Sequence, residues 1–448
     1  MADPSRSAAG PASGPTRHGK NAFMFIIVTV AIDMMGFGVI MPSMPSLLSG
    51  LTGLPIADVT PWGGYITTVF AVMNFFASPI LGNLSDRFGR RPVLLVSLGT
   101  LCIDFLIMGF AQTIWVLFIG RVLSGASAAT QSTASSYIAD VTEPHERGQA
   151  FGMLGAAFGL GFILGPAIGG FLGEHLGPRA PFFASAALCA INFLYGLFVL
   201  PESLAKEHRR KFDWKRANAI GAFRHFSKLP HLAWFMLALG LYQFAHWVYP
   251  STFNYYGAVR YGWGQDMIGL ALAGVGVGSA VVQGLLVGRM IKRFGATRTV
   301  MFGFVISILA FVGYAFAFKG WMMWSILPFA SLGGVLSPAL NQIMSSRVAR
   351  NAQGEMQGAM SSVQALSNMT SPLVMTQTFF FFTHSEAPVH FAGASFLLAA
   401  VIASLSLIPL VIGLRTVPKV AETGGPPPDA ETARTPLPGD EQAAAATP

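Results

Sequence analysis

The chain has 448 residues, 53% of them hydrophobic and only 11% charged, with a formal net charge of +8 at pH 7. A soluble domain devotes roughly a quarter of its residues to charge, so this composition excludes a soluble globular protein and demands a membrane. Cys102 and Cys189 both fall inside apolar runs, which favours small apolar packers over a disulfide or metal site.

Taken in chain order, residues 1–21 are small and polar and are expected to form a disordered N-terminal tail. Twelve apolar runs follow, at about 22–43, 62–82, 92–112, 114–138, 150–173, 180–200, 232–254, 267–288, 297–318, 321–345, 355–383 and 391–414, each close to the roughly 20 residues a helix needs to cross a bilayer. No small-residue cleavage site follows the first run, so it reads as a retained helix rather than a signal peptide. Residues 22–200 make one six-helix bundle, 201–231 a basic linker, 232–414 a second bundle, and 415–448, rich in Pro, Ala and acid, a disordered C-terminal tail. With the N-terminus placed in the cytoplasm, every one of the 28 Lys and Arg except Arg121, Arg179, Arg260 and Lys319 falls on the cytoplasmic side. That is the positive-inside pattern, and it accounts for the basic balance without a nucleic-acid partner. The reading is a multi-pass protein of the cell inner membrane with both termini cytoplasmic. Trp62, Trp115, Trp247, Tyr255, Tyr256, Trp263 and Trp321 are assigned to the aromatic belt at the outer ends.

The chain also repeats itself. At a constant offset of 206 residues, "GNLSDRFGRR" (82–91) lies over "GRMIKRFGAT" (288–297), Trp115 over Trp321, Gly148 over Gly354, Gly152 over Gly358 and Pro166 over Pro372. One gapless offset through loops as well as spans indicates duplication. The expected fold is therefore an all-α membrane protein, twelve transmembrane helices in two pseudo-symmetric six-helix bundles, an arrangement typical of transporters with a central solute site. "GVGVGSA" (274–280) sits in mid-span with no preceding strand, so its glycines are read as packing glycines rather than a dinucleotide loop. No nucleotide loop, metal-ligand cluster or nucleophile triad stands elsewhere, so neither an enzyme nor an ATP-driven pump is expected, and no cofactor.

Three charges lie deep in spans: Asp33, Asp104 and Arg121. At about 1.5 Å per residue through about 30 Å of hydrocarbon, the two carboxylates sit roughly 16–18 Å from the inner boundary and Arg121 about 10 Å below the outer one. Such groups are costly there and line a pathway or pair. Two readings stay open: a static Asp104–Arg121 ion pair holding helices together, or two carboxylates competing for one guanidinium, the unpaired one exchanging a proton as the protein changes state. The second is favoured for Asp33. The 206-residue counterparts of Asp104 and Arg121 are Ala310 and Leu327, which confines the charge chemistry to the N-terminal half. His246 in "YQFAHWVYP" is a packing histidine or a second titrating group.

These residues resemble the major facilitator superfamily over nearly the whole chain. "GNLSDRFGRRPVLLVSL" matches that superfamily's loop signature, with Gly82 and Gly89 permitting tight turns and Asp86, Arg87, Arg90 and Arg91 forming a gating loop. Topology adds Arg147, from "EPHERG", as a cation expected to pair with Asp86. "GFILGPAIGG" resembles the antiporter signature of drug:proton exporters through Gly161, Gly165, Pro166, Gly169 and Gly170, small residues that admit close helix approach and a proline bend.

A narrower resemblance is to the tetracycline-resistance branch, carried by "DMMGFGVIMPSMPSLL", "LGNLSDRFGRRPVLLVSL", "IGRVLSGASAATQSTASSYIADVT" and "APFF". It implies export of a drug, such as a magnesium-chelated tetracycline, against a proton, with Asp33 and Asp104 as the essential carboxylates, Arg121 as the fourth-span arginine, and Asn74 and Gln283 facing the pathway. Where that branch has a His in the eighth span and an Asp in the ninth, this chain has Gly278 and Ser307, which puts tetracycline itself in doubt more than proton coupling. Asn341, Gln342, Gln364 and Asn368 are the remaining candidate solute contacts. The expectation is a monomeric proton-coupled exporter of an amphipathic drug-like compound working by alternating access, with a proton-coupled importer on the same fold as the alternative.

Overall fold

The computed structural model describes residues 17–128, 130–143, 145–214, 232–349 and 352–416. The expected tails at 1–16 and 417–448 and linker residues 215–231 lie outside the described residues. The first helix runs Arg17–Ile40, and its stretch apolar enough to cross a membrane is Phe23–Ile40.

Among the described residues there is no strand, and nine helices are long and apolar enough to cross a membrane. Three more spans complete twelve. The fourth is Ile114–Ser127 and Thr130–Val141, interrupted where Ala128 leaves helical geometry (ψ 64°) in a run of small residues. The seventh is Ala233–His246 and Val248–Tyr261. Pro250 stands in the first turn of its second piece, where it cannot donate back to His246 and so forces a break at Trp247. The eleventh, Gln353–Phe381, is long but carries many polar residues. The eighth span runs Gln265–Val281, a π-helical turn Val282–Leu286 and Val287–Phe294, and the tenth is loosened at Gly333–Val335 between Gly320–Leu332 and Leu336–Ser345.

The repeat holds at the level of helix ends. The second span ends at Phe88 and the eighth at Phe294; the third starts at Arg90 and the ninth at Ala296; the fifth starts at Arg147 and the eleventh at Gln353. Each pair is 206 apart. At the shared corner Gly89 has φ 109° and Gly295 φ 80°, a region that β-carbon-bearing residues avoid, so the glycine is required there in both halves.

The fifth span (Arg147–Leu176) ties the halves together. A Cβ on Gly161, Gly165 or Gly169 would come within 2.4, 2.6 and 1.9 Å of the carbonyl oxygens of Ala31, Met35 and Val39 on the first span. On its other side, a Cβ on Gly170 would lie 2.4 Å from Gln265 O of the eighth span, and one on Gly269 would lie 2.2 Å from Pro166 O. The antiporter-like glycines are thus backbone-to-backbone contacts, made where no apolar driving force between helices exists in lipid. The glycines of 274–280 pack likewise: Gly276 faces Ile163 and Gly278 faces Ser331. The second span meets the eleventh the same way, Gly64 against Pro372 O and Thr376.

The aromatic-belt assignment needs correction. Trp115 and Trp321 are exposed at span ends as expected, but Tyr255 and Tyr256 are buried and Trp247 lies at the mid-span break. The seventh span runs farther than its apolar signal, to Tyr261, which carries these three residues inward. Tyr256 donates its hydroxyl to Tyr314 O at 2.7 Å. Cys189 is buried and both cysteines are free, as the apolar reading requires.

Candidate functional site

Three cavities of about 260, 70 and 390 Å³ share Phe37 and Phe70 in their walls; the first lies within the N-terminal half, and the second and third lie between the halves. The first is walled by Asp33, Arg121 and the rings of Phe105, Phe158 and Phe162; the second adds Trp247; the third runs along Ser78, Ser361 and Asn368. Three hydrogen bonds join the halves at the face opposite the termini: Asn254 Nδ2 to Met41 O at 2.8 Å, Gln265 N to a carboxylate oxygen of Glu174 at 2.8 Å, and Gln377 Nε2 to the Tyr65 hydroxyl at 2.7 Å. The cavities therefore lie beneath a closed far face.

Asp104 is fully buried and accepts a hydrogen bond from Arg121, also buried. Gly120 makes room for it, since a Cβ there would lie 2.5 Å from Asp104 Oδ1. The Arg121 guanidinium also stands over the Phe70 ring, 5.6 Å from its centroid, so the ion pair and the aromatic wall are one unit. Asp33 lines the same cavity half-buried, and among the described residues no hydrogen bond or ion pair to it is found. Arg121 is thus paired with Asp104, and Asp33 is the carboxylate left without a partner among the described residues.

Of the candidate solute contacts, Asn74 lines the first and third cavities, its Oδ1 accepting from Ser78, and Asn368 lines the third. His246, Gln283, Asn341, Gln342 and Gln364 are not on the walls of these cavities. His246 is exposed, its ring between Tyr242 and Tyr249 at 5.7 and 5.2 Å. Gln283 is exposed in the π-helical turn, and Asn341 accepts from Gln357 at 3.1 Å. Gln342 is exposed and Gln364 half-buried. At the two positions that depart from the tetracycline branch, Gly278 packs on Ser331, and the Ser307 hydroxyl is 3.2 Å from that of Tyr242.

The signature Gly82–Arg91, which folds as the last turns of the second span, the corner at Gly89 and the start of the third span, is held by charge. Arg90 reaches Asp86 at 2.6 Å, Asp140 at 3.2 Å and Ser85 Oγ at 2.6 Å. Its backbone N–H, the start of the third span, donates to Glu202 at 2.8 Å, a carboxylate on a helix N-terminus. Arg91 donates to Leu197 O, and Arg87 lies over Phe88. The expected Asp86–Arg147 pairing is absent: Arg147 donates to Ala139 O, and Asp86 is taken by its helical neighbour Arg90. Glu202, Asp140 and the phenylalanine walls were missed by sequence reasoning. Asp140 and Glu202 looked like ordinary loop acids, and only Phe37, one turn after Asp33, carried a signal.

Twelve spans in two repeated bundles around a cavity closed at one face make a membrane-embedded transporter architecture. The family model described as Major Facilitator Superfamily matches residues 26–372, and the chain belongs to that superfamily. It is 36% identical to tetracycline resistance protein, class C, of Escherichia coli, over 80% of this chain and 89% of that one. It is 28% identical to multidrug resistance protein 2 of Bacillus subtilis (strain 168), over 79% and 87%. Among solved structures, a bacterial homolog of the human lysosomal transporter Spinster, inward-facing and unoccupied, aligns with a TM-score of 0.73 at 16% identity, covering 90% of this chain and 98% of that one.

Proposed function

We propose that this protein is a proton-coupled exporter of an amphipathic, drug-like organic compound, of tetracycline or multidrug type, working as a monomer in the inner membrane with its basic, termini-bearing face in the cytoplasm. The observation that carries the reading is Asp33: a carboxylate without a partner among the described residues, on an aromatic-walled cavity it shares with a guanidinium that is paired with Asp104. A drug with a positive centre is held by that carboxylate and by ring faces. A proton arriving at Asp33 removes the charge that holds it, so cargo and proton exclude each other at one group. Arg121, tied to Asp104, is not available to neutralise Asp33, which leaves that task to the proton or the cationic cargo. The positive-inside distribution of Lys and Arg supports the orientation, and the resistance proteins among the relatives support the cargo class.

The test is drug accumulation in everted vesicles energised by an acid interior, wild type against Asp33→Asn. Wild type accumulates drug and the variant does not, while the variant still equilibrates drug down its own gradient. Gradient-driven accumulation by Asp33→Asn at the wild-type rate would overturn the proposal.

A further inference from the structure

We propose that the first stretch of the linker, residues 206–214, is an anchor for an anionic lipid surface, fixed to the loop Gly82–Arg91. The stretch reads "KEHRRKFDW" and holds Lys206, Arg209, Arg210 and Lys211 against Glu207 and Asp213. Arg209 is engaged with Glu202 at 3.8 Å, whereas among the described residues Arg210 and Lys211 have no ion pair. Phe212 and Trp214 pack edge to face at 4.9 Å between centroids, and Trp214 is 74% exposed. An exposed tryptophan braced by a second ring, beside free cations, is not a core feature. It is the combination that settles at the headgroup level of a membrane, the ring among the upper acyl chains and the cations on phosphates.

Position makes the membrane the occupant. Arg210 N donates to Asp86 O at 3.0 Å and Asn83 Nδ2 to Asp213 O at 2.6 Å, so the stretch is bound to the last turn of the second span, Ile56–Phe88. It begins seven residues after the sixth span ends at Val199. Both attachment points are the ends of membrane-crossing helices, which places the segment in the headgroup layer of the basic face. A cavity of about 340 Å³ lies between it and the second span, lined by Asn83, Asp86, Arg210 and Lys211. The anchor also shares hydrogen bonds with the loop that holds Asp86, so lipid that grips it restrains that loop.

The full chain in nanodiscs tests this, using phosphatidylcholine alone or with about a third phosphatidylglycerol. The emission of Trp214 is taken as wild type minus Trp214→Phe. The expected difference spectrum moves to shorter wavelength with phosphatidylglycerol and is quenched at least twofold more by brominated phosphatidylglycerol than by brominated phosphatidylcholine. The paired surface variant Arg210→Gln with Lys211→Gln abolishes that preference. Solvent-like emission without quenching would overturn the anchor, and equal quenching by both lipids would overturn its anionic selectivity. The readout needs no transport, so it stands or falls apart from the export reading.

Discussion

The Asp104–Arg121 pair can be taken apart on a pattern the chain itself supplies, because the second half has Ala310 and Leu327 at the matching positions, both buried. Asp104→Ala strands a guanidinium that cannot lose its proton, at a cost of about 3–5 kcal/mol. Arg121→Leu leaves a carboxyl that can neutralise itself by binding a proton, and costs about 1–3 kcal/mol. The double variant removes both members of the pair and falls within about 1 kcal/mol of wild type. The cycle therefore has a coupling free energy of about 3 kcal/mol or more. Cys189 provides the assay: it is fully buried, so a thiol-reactive dye reads unfolding in detergent as temperature rises. At roughly 1–2 °C per kcal/mol for a chain of this length, Asp104→Ala lowers the midpoint by about 5 °C and the double variant restores most of it. A double variant as unstable as Asp104→Ala would refute the reasoning, since the penalty would then come from lost packing at 104.

Three further outcomes are expected. Gly169→Ala places a methyl group 1.9 Å from a main-chain oxygen that cannot move aside, and destabilises by about 1–3 kcal/mol; Gly148→Ala, with open space around it, stays within about 0.5 kcal/mol, and equal thermal midpoints for the two would contradict the close-contact reading. Glu174→Ala removes a charged hydrogen bond that closes the far face, and a loss of about 1.4 kcal/mol raises the far-open population tenfold. That is measured as faster labelling of Thr67→Cys, on the second and third cavities, by an impermeant thiol reagent from the far side; an unchanged rate excludes a latch at Glu174. Arg90→Lys loses the fork that spans Asp86, Asp140 and Ser85 and costs about 1–3 kcal/mol, while Arg87→Lys, which rests on Phe88, is near neutral; the reverse order in melting would show that Arg90 is not the hub of the loop.

Span number and duplication were legible because both are written in long-range patterns: apolar length and a constant offset that survives as matched helix ends. The breaks were not. Ala128, Trp247 and the π turn at Val282–Leu286 interrupt hydrogen bonding without interrupting hydrophobicity, and hydropathy alone cannot register that. The same blindness put Trp247, Tyr255 and Tyr256 in the interfacial belt. In the site, the three deep charges stood out because membrane depth makes charge rare, but which carboxylate the arginine takes depends on Gly120, whose missing Cβ admits Asp104. The polar residues of the second half gave weaker guidance. Polar side chains on membrane helices also serve to bond neighbours, as Asn341 does with Gln357.

The antiporter-like glycines and the unpaired carboxylate belong to one mechanical argument. Asp33 lies between Ala31 and Met35, the residues whose carbonyls meet Gly161 and Gly165 of the fifth span. One turn beyond, the same fifth span touches the eighth through Gly170 and Gly269. A change of charge at Asp33 therefore acts on the helix that packs directly against the junction between the halves, with no intervening loop. At these glycines the contact surface is largely backbone, with few side chains between the helices. A bulky residue at Gly165 or Gly269 would separate the two functions, leaving Asp33 able to bind a proton while the rocking that should follow is blocked.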